Sequence, residues 1–241
     1  MIKLDPQQEV NVEAIFSRLM TRKSTATRFR LPYTEQQVYD MLYQACRVEV
    51  MHRLRDFEAT EPYKKHLKEI AQWLTGNEST FGLFLCGSAG NGKTTILKAL
   101  QNLTNLLRSD EPSSHEYGSF IKGSRIITAK ELVLLAKAYN NPTRDNENEV
   151  LGYKRLRRIE ILAIDDLGTE PRESIHYGDY VTAAMDIISY RYEEQLCTLA
   201  SSNLAASDIA SYYDERIADR FREMMHIINF GNEKSFRKAA K

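Results

Sequence analysis

The sequence predicts a three-layer α/β fold, a parallel sheet with helices on both faces and a ligand site at the C-terminal ends of its strands. Three observations predict it. The apolar run Phe81-Gly82-Leu83-Phe84-Leu85-Cys86 passes through a glycine-rich turn into Thr95-Ile96-Leu97-Lys98-Ala99-Leu100, whose helical face continues at Leu103, Leu106 and Leu107. A second apolar run, Ile159 to Ile164, ends in two adjacent acids, Asp165 and Asp166. Further short strands are expected at Arg125-Ile126-Ile127-Thr128, Cys197 to Asn203 and His226 to Phe230, and helical segments separate them.

The turn after the first strand reads Gly87-Ser88-Ala89-Gly90-Asn91-Gly92-Lys93-Thr94. It fits G-x-x-x-x-G-K-[ST], the phosphate-binding P-loop, in the strand–loop–helix context that the motif requires. Its glycines let backbone N–H groups curl around an anion, and the helix N-terminus adds partial positive charge. Lys93 is placed to reach the β- and γ-phosphates of ATP, Thr94 to offer its hydroxyl to Mg2+, and Thr95 to continue the loop into the helix.

The strand tip at Asp165-Asp166 has the Walker B arrangement. Asp165 is the expected Mg2+ holder through water, and Asp166 the candidate base or water-positioning residue. Aspartate is one methylene shorter than the glutamate that many ATPases carry at the second position. Hydrolysis is therefore expected to be slow, or to draw on Glu170 nearby. Asn203, at the tip of the next strand, is placed to hydrogen-bond the attacking water or the γ-phosphate. Tyr180 to Glu194 is expected to be a helix, and so is the stretch from Asp214, where Arg216 and Arg220 fall on one face. That face reads either as a salt-bridge ladder with Glu215 and Asp219 or as an arginine presented to a neighbouring subunit's nucleotide.

Residues 1–78 predict a small helical module, and residues 79–241 the nucleotide-binding domain. Asp5-Pro6, Thr34-Glu35-Gln36-Gln37 and Glu61-Pro62 are three helix starts, and Gly76 is a stop. Between the first two helices stand Arg18, Arg22, Lys23, Arg28 and Arg30, interleaved with Phe29 and Tyr33. This pattern suits single-stranded nucleic acid, with cations on phosphates and aromatics under bases. It equally suits a solvated basic loop or a protein-docking surface.

The 241 residues carry no formal net charge, so any binding to nucleic acid must come from a local patch. No apolar run reaches the length of a membrane span, and the N-terminus lacks a signal-peptide pattern. Cys46, Cys86 and Cys197 show no C-x-x-C spacing. Buried thiols and a reducing, cytoplasmic setting are expected.

Taken together, Gly87 to Thr94, Asp165-Asp166-Leu167-Gly168, Ser201-Ser202-Asn203-Leu204, Glu215 to Phe221 and Ser235-Phe236-Arg237 resemble the AAA+ ATPases. The nearest resemblance is to the DnaC/DnaI replicative-helicase loaders and the related IstB transposition ATPases. It implies that Asn203 acts as sensor 1, Arg220 or Arg216 as the arginine finger, and Arg237 as the sensor 2 arginine. It also implies ATP and Mg2+ as cofactors, a replicative helicase or a transposase as partner, single-stranded or duplex DNA nearby, and self-association through a shared ATP site. Two departures stand out. Thr95 stands where these loaders often have histidine, and the chain ends shortly after its last strand, leaving no sequence for a C-terminal helical lid. No arginine in cis is obviously aimed at the γ-phosphate. A P-loop kinase of a small metabolite and a nucleotide-binding adaptor with little turnover are the rival readings.

Overall fold

A computed structural model describes residues 11–22, 28–107, 121–170, 175–176, 179–180, 183–231, 233, 235 and 236. In chain order the elements are α1 (Val12–Arg22), α2 (Glu35–Met51), α3 (Glu61–Thr75), β1 (Gly82–Cys86), α4 (Lys93–Leu107), β2 (Ile121–Thr128), α5 (Ala129–Asn140), α6 (Glu147–Arg158) and β3 (Ile159–Leu167). They continue with β4 (Ile175–His176), β5 (Asp179–Tyr180), α7 (Ala183–Glu193), β6 (Cys197–Ser202), α8 (Ile209–Tyr212), α9 (Glu215–Met224) and β7 (Met225–Asn229).

The central sheet has five strands in the order β2-β3-β6-β1-β7, all parallel, and β4 and β5 form a separate small antiparallel pair. Because successive strand residues point to opposite faces, each strand feeds two cores. Leu83 and Leu85 of β1, with Ile161 and Ala163 of β3, pack among α2, α3 and α4. Phe84 and Cys86, with Leu162 and Ile164, pack among α5, α6, α7 and α9. This is the three-layer arrangement that the apolar runs predict. The near-continuous hydrophobicity of those runs follows from burial on both faces.

The helix starts are local chemistry. Thr34 and Thr128 each close a capping box, with Gln37 and Glu131 respectively, and the Thr60 hydroxyl caps α3. The expected start at Asp5-Pro6 lies outside the described residues. Gly76 does end α3, in an extended conformation (φ −82). Glycine is needed there because a Cβ would lie 2.9 Å from the Gln72 carbonyl oxygen. Two boundaries shift. β2 begins at Ile121, where Ile121 and Ser124 pair with β3 across an irregularity at Lys122-Gly123, and α7 begins at Ala183, with Tyr180 in β5.

Val38, Leu42 and Cys46 of α2 and Leu67, Ile70 and Leu74 of α3 share one apolar cluster with β1 and α4. Two of the basic residues ahead of them are engaged by the fold. The Arg30 guanidinium donates to the carbonyls of Gly76, Glu78 and Thr80 at 2.7–3.0 Å and lies 5.0 Å from the Trp73 ring centroid; burial lowers its pKa. Arg28 stacks 4.4 Å from the Phe81 centroid. The aromatic partners of these cations are the protein's own. On α1, by contrast, Val12, Ile15, Phe16 and Leu19 are all exposed.

Candidate functional site

β1 delivers the chain into the glycine loop at the C-terminal edge of the sheet. Gly87, Gly90 and Gly92 all have left-handed φ angles (123, 87 and 94), which a side chain would strain. Space is short as well: a Cβ on Gly92 would lie 2.7 Å from the Tyr63 ring. The loop is also clamped from behind by the segment after β7. The Ser88 N–H donates to the Gly231 carbonyl at 3.0 Å, and the Phe236 N–H to the Gly90 carbonyl at 2.9 Å.

Lys93 folds back over this loop. Its ammonium donates to the carbonyls of Gly87 (2.8 Å) and Ser88 (2.7 Å) and to Asn91 Oδ1 (3.0 Å), and the residue is buried. The P-loop thus holds its cation by its own oxygens at the place where phosphate oxygens would compete for it. Thr94 turns the other way, and its hydroxyl donates to Asp165 Oδ1 at 3.0 Å. The same oxygen accepts the Ser201 hydroxyl at 2.5 Å, and Ser201 Oγ in turn accepts the Asp166 N–H at 3.0 Å. β3 and β6 shift register between Ile164 and Leu167, and Asp166 itself is left-handed, with φ 57. The bulge separates the two acids: Asp165 is buried against Thr94, while Asp166 lines the cleft.

The cleft has a volume of about 570 Å³. Asp166, Thr169 and Asn203 come from the strand tips, residues 89–95 form the floor, and Val50, Arg53–Glu58, Tyr63 and Phe236 line the remainder. Glu170 is engaged elsewhere. It accepts the Gly168 N–H at 2.7 Å and the Tyr213 hydroxyl, and burial together with this carboxylate pushes the Tyr213 pKa up. Glu170 therefore ties the Walker B turn to the entry of α9.

The two arginine candidates on α9 differ. Arg220 is 7% exposed, its Nη2 pairs with Glu193 at 2.8 Å, and it lies 5.2 Å from the Tyr192 ring centroid. Arg216 is exposed. The flanking acids Glu215 and Asp219 pair with Arg222, at 3.7 and 3.3 Å, so the expected ladder runs to a different arginine. Arg237 lies outside the described residues. Two contributors carry no sequence signal as site residues, Tyr63 and, above all, Arg53; Ser201 stands in the strand-tip motif but without an expected role of its own. Arg53 lines the cleft in cis, its Nη1 3.5 Å from Thr95 Oγ1.

Leu54 sits at the cleft mouth, 96% exposed and left-handed at φ 55. Relief of about 1–2 kcal/mol of backbone strain exceeds the roughly 0.4–1 kcal/mol that glycine loses through unfolded-state entropy. Leu54→Gly is therefore expected to raise the melting temperature by about 1–3 °C, measurable by differential scanning calorimetry.

Fold and loop together define an AAA+ P-loop NTPase fold. Among solved structures the chain is similar to the DnaC helicase loader, with a TM-score of 0.50 and 20% identity over 72% of this chain and 92% of that one. It is likewise similar to DnaI, with a TM-score of 0.52 and 24% identity over 78% of this chain and 93% of that one. At these identities the likeness is one of fold. No family model and no curated protein matches the sequence. Among the described residues no helix is long and apolar enough to cross a membrane, and the three cysteines are buried free thiols.

Proposed function

We propose that this chain binds and hydrolyses ATP as a self-associating AAA+ protein, and that it acts as a loader of a replicative helicase in DNA replication. The observation that carries the nucleotide reading is the junction of Thr94, Asp165 and Ser201 beside the Lys93-bearing glycine loop, opening on a cleft of nucleotide size. The donor set fits the ligand. Left-handed glycines form an anion cradle, and a hydroxyl and a carboxylate meet where Mg2+ would sit. Bound Mg2+ would neutralise charge on the β- and γ-phosphate oxygens.

In this reading Lys93 exchanges the Gly87 and Ser88 carbonyls for phosphate oxygens, and Thr94 and Asp165 hold the metal. Asp166 and Asn203 orient water at the γ-phosphate, and an arginine of α9 reaches the site of a neighbouring copy. Residues 1–78 are read as the partner- or DNA-binding module and residues 79–241 as the ATPase, with Arg53 to Glu58 and Tyr63 of the first segment also lining the cleft. The loader assignment is supported by the shared fold with the DnaC helicase loader.

The test is ATP binding and turnover by the purified chain, alone and with single-stranded DNA and the host's replicative helicase. Binding that Lys93→Ala weakens at least about tenfold, and turnover stimulated by helicase or DNA, are expected. Capture of a transposase in place of the helicase would move the protein to the IstB-like role. Binding without turnover under every condition would make it an adaptor, and phosphate transfer to a small acceptor would make it a kinase.

A further inference from the structure

We propose that Arg53 is a phosphate ligand: a guanidinium carried by the turn after α2 that binds a phosphate shared by ATP and ADP. The inference deepens the nucleotide reading of the cleft and rests on it. Arg53 lines the cleft beside Gly92–Thr95, and its Nη1 lies 3.5 Å from Thr95 Oγ1 on the first turn of α4. On its other side Nη2 lies 3.9 Å from Glu49 Oε2. Glu49 is itself fixed, because its Oε1 accepts the Asn102 side-chain amide of α4 at 2.5 Å. The guanidinium is thus bracketed between α2 and α4, yet both of its contacts are long for a group with five donors.

Electrostatics give the reason for this placement. The N-terminus of α4 already carries partial positive charge and the Lys93 ammonium. A second full cation beside it is unfavourable by itself, and a single carboxylate at 3.9 Å offsets only part of that. Among the described residues Glu49 is the carboxylate within ion-pair distance of Arg53. An anion lying between Arg53 and the glycine loop turns the repulsion into a clamp.

Direction identifies which phosphate. Consecutive helical residues point about 100° apart, and Thr94 faces Asp165 while Thr95 faces Arg53. Arg53 therefore addresses the phosphate chain away from the metal and the γ-phosphate.

The test compares Mg·ATP and Mg·ADP dissociation constants of the full chain with those of Arg53→Ala and Arg53→Lys. Arg53→Ala is expected to weaken both nucleotides by the same factor, about tenfold or more. Arg53→Lys should recover part of the loss, keeping the charge without the fork. The melting temperature without nucleotide should not move, because the side chain is 40% exposed. Unchanged affinity for both nucleotides, a loss confined to ATP, or a drop in the nucleotide-free melting temperature matching the loss would overturn the proposal. Wild-type protein that binds neither nucleotide removes the reading underneath and this proposal with it. Wild-type binding matched by Arg53→Ala removes this proposal alone.

Discussion

Arg216→Ala is expected to lower ATP turnover by about 10³-fold while leaving ATP affinity and the melting temperature nearly unchanged. The expectation follows from how α9 distributes its two candidate arginines. Arg220 is walled in: Glu193 takes one end of its fork, Tyr192 lies against its face, and its buried Nη1 has no hydrogen-bond partner among the described residues. To reach another subunit it would have to break an ion pair and leave its pocket. Arg216, one turn earlier, is exposed and makes no ion pair among the described residues, since Arg222 takes the neighbouring acids. A cation that meets the γ-phosphate only after assembly contributes to the transition state and little to ground-state binding, so kcat falls and affinity holds. Arg220→Ala should instead show up as lost stability, because it strips a buried side chain from Tyr192 and Glu193. Mixing separates the roles further. Lys93→Ala subunits lack a working site but still present Arg216, so adding them to Arg216→Ala subunits should restore turnover. Turnover strictly proportional to protein concentration, with no recovery on mixing, would reject a shared site.

The parts of this architecture that were legible in the sequence are those written locally. The three central strands β1, β3 and β6 are apolar runs closed by glycine, acid or asparagine, because both of their faces are buried. The box at Thr34 is legible because donor and acceptor sit three residues apart. The P-loop and the Asp165 strand are legible because their chemistry fixes residue type and order. The rest depends on the fold. Arg53 meets Thr95 across 42 residues of sequence, and nothing near it marks the contact. The basic and aromatic alternation at Arg28 to Tyr33 reads the same whether its rings are nucleobases or, as with Phe81 and Trp73, the protein's own. Asp166 looks like the simple successor of Asp165. Only the bulge and the left-handed turn reveal that the two acids face different surroundings.

Arg191 shows the same limit more sharply, and its replacement is expected to be the most destabilising single change. In the sequence it is one arginine near the end of an amphipathic helix. In the fold it is completely buried and reaches under the sheet. Its Nε donates to Thr198 Oγ1 at 2.8 Å, and its Nη1 to the carbonyls of Leu156, Arg157 and Ile159 at 2.7–3.2 Å. Its Nη2 donates to the carbonyls of Glu160 (3.2 Å) and Cys197 (2.5 Å). Burial pushes its pKa down to about 9, which leaves it charged at neutral pH. Among the described residues no carboxylate pairs with it. The compensation comes from the carbonyls ending α6 and from those at the starts of β3 and β6, where the helix C-terminus carries partial negative charge. One side chain therefore satisfies the junction of three elements. Methionine keeps an unbranched apolar stem but is shorter and has none of the donors, so Arg191→Met would orphan several buried carbonyls at once. Orphaned acceptors cost about 1–3 kcal/mol each, reduced where relaxation or water reaches them. A net loss of about 4 kcal/mol is expected, comparable to breaking a buried ion pair, with a fall in melting temperature of roughly 8–16 °C. Arg191→Lys should fall in between, since three donors cannot serve six acceptors. The fall should appear equally with and without nucleotide, because the cluster lies at the starts of the strands and the cleft at their other ends. A melting temperature within about 2 °C of wild type for Arg191→Met would show that water or repacking replaces the guanidinium, and that this junction does not hold the sheet together.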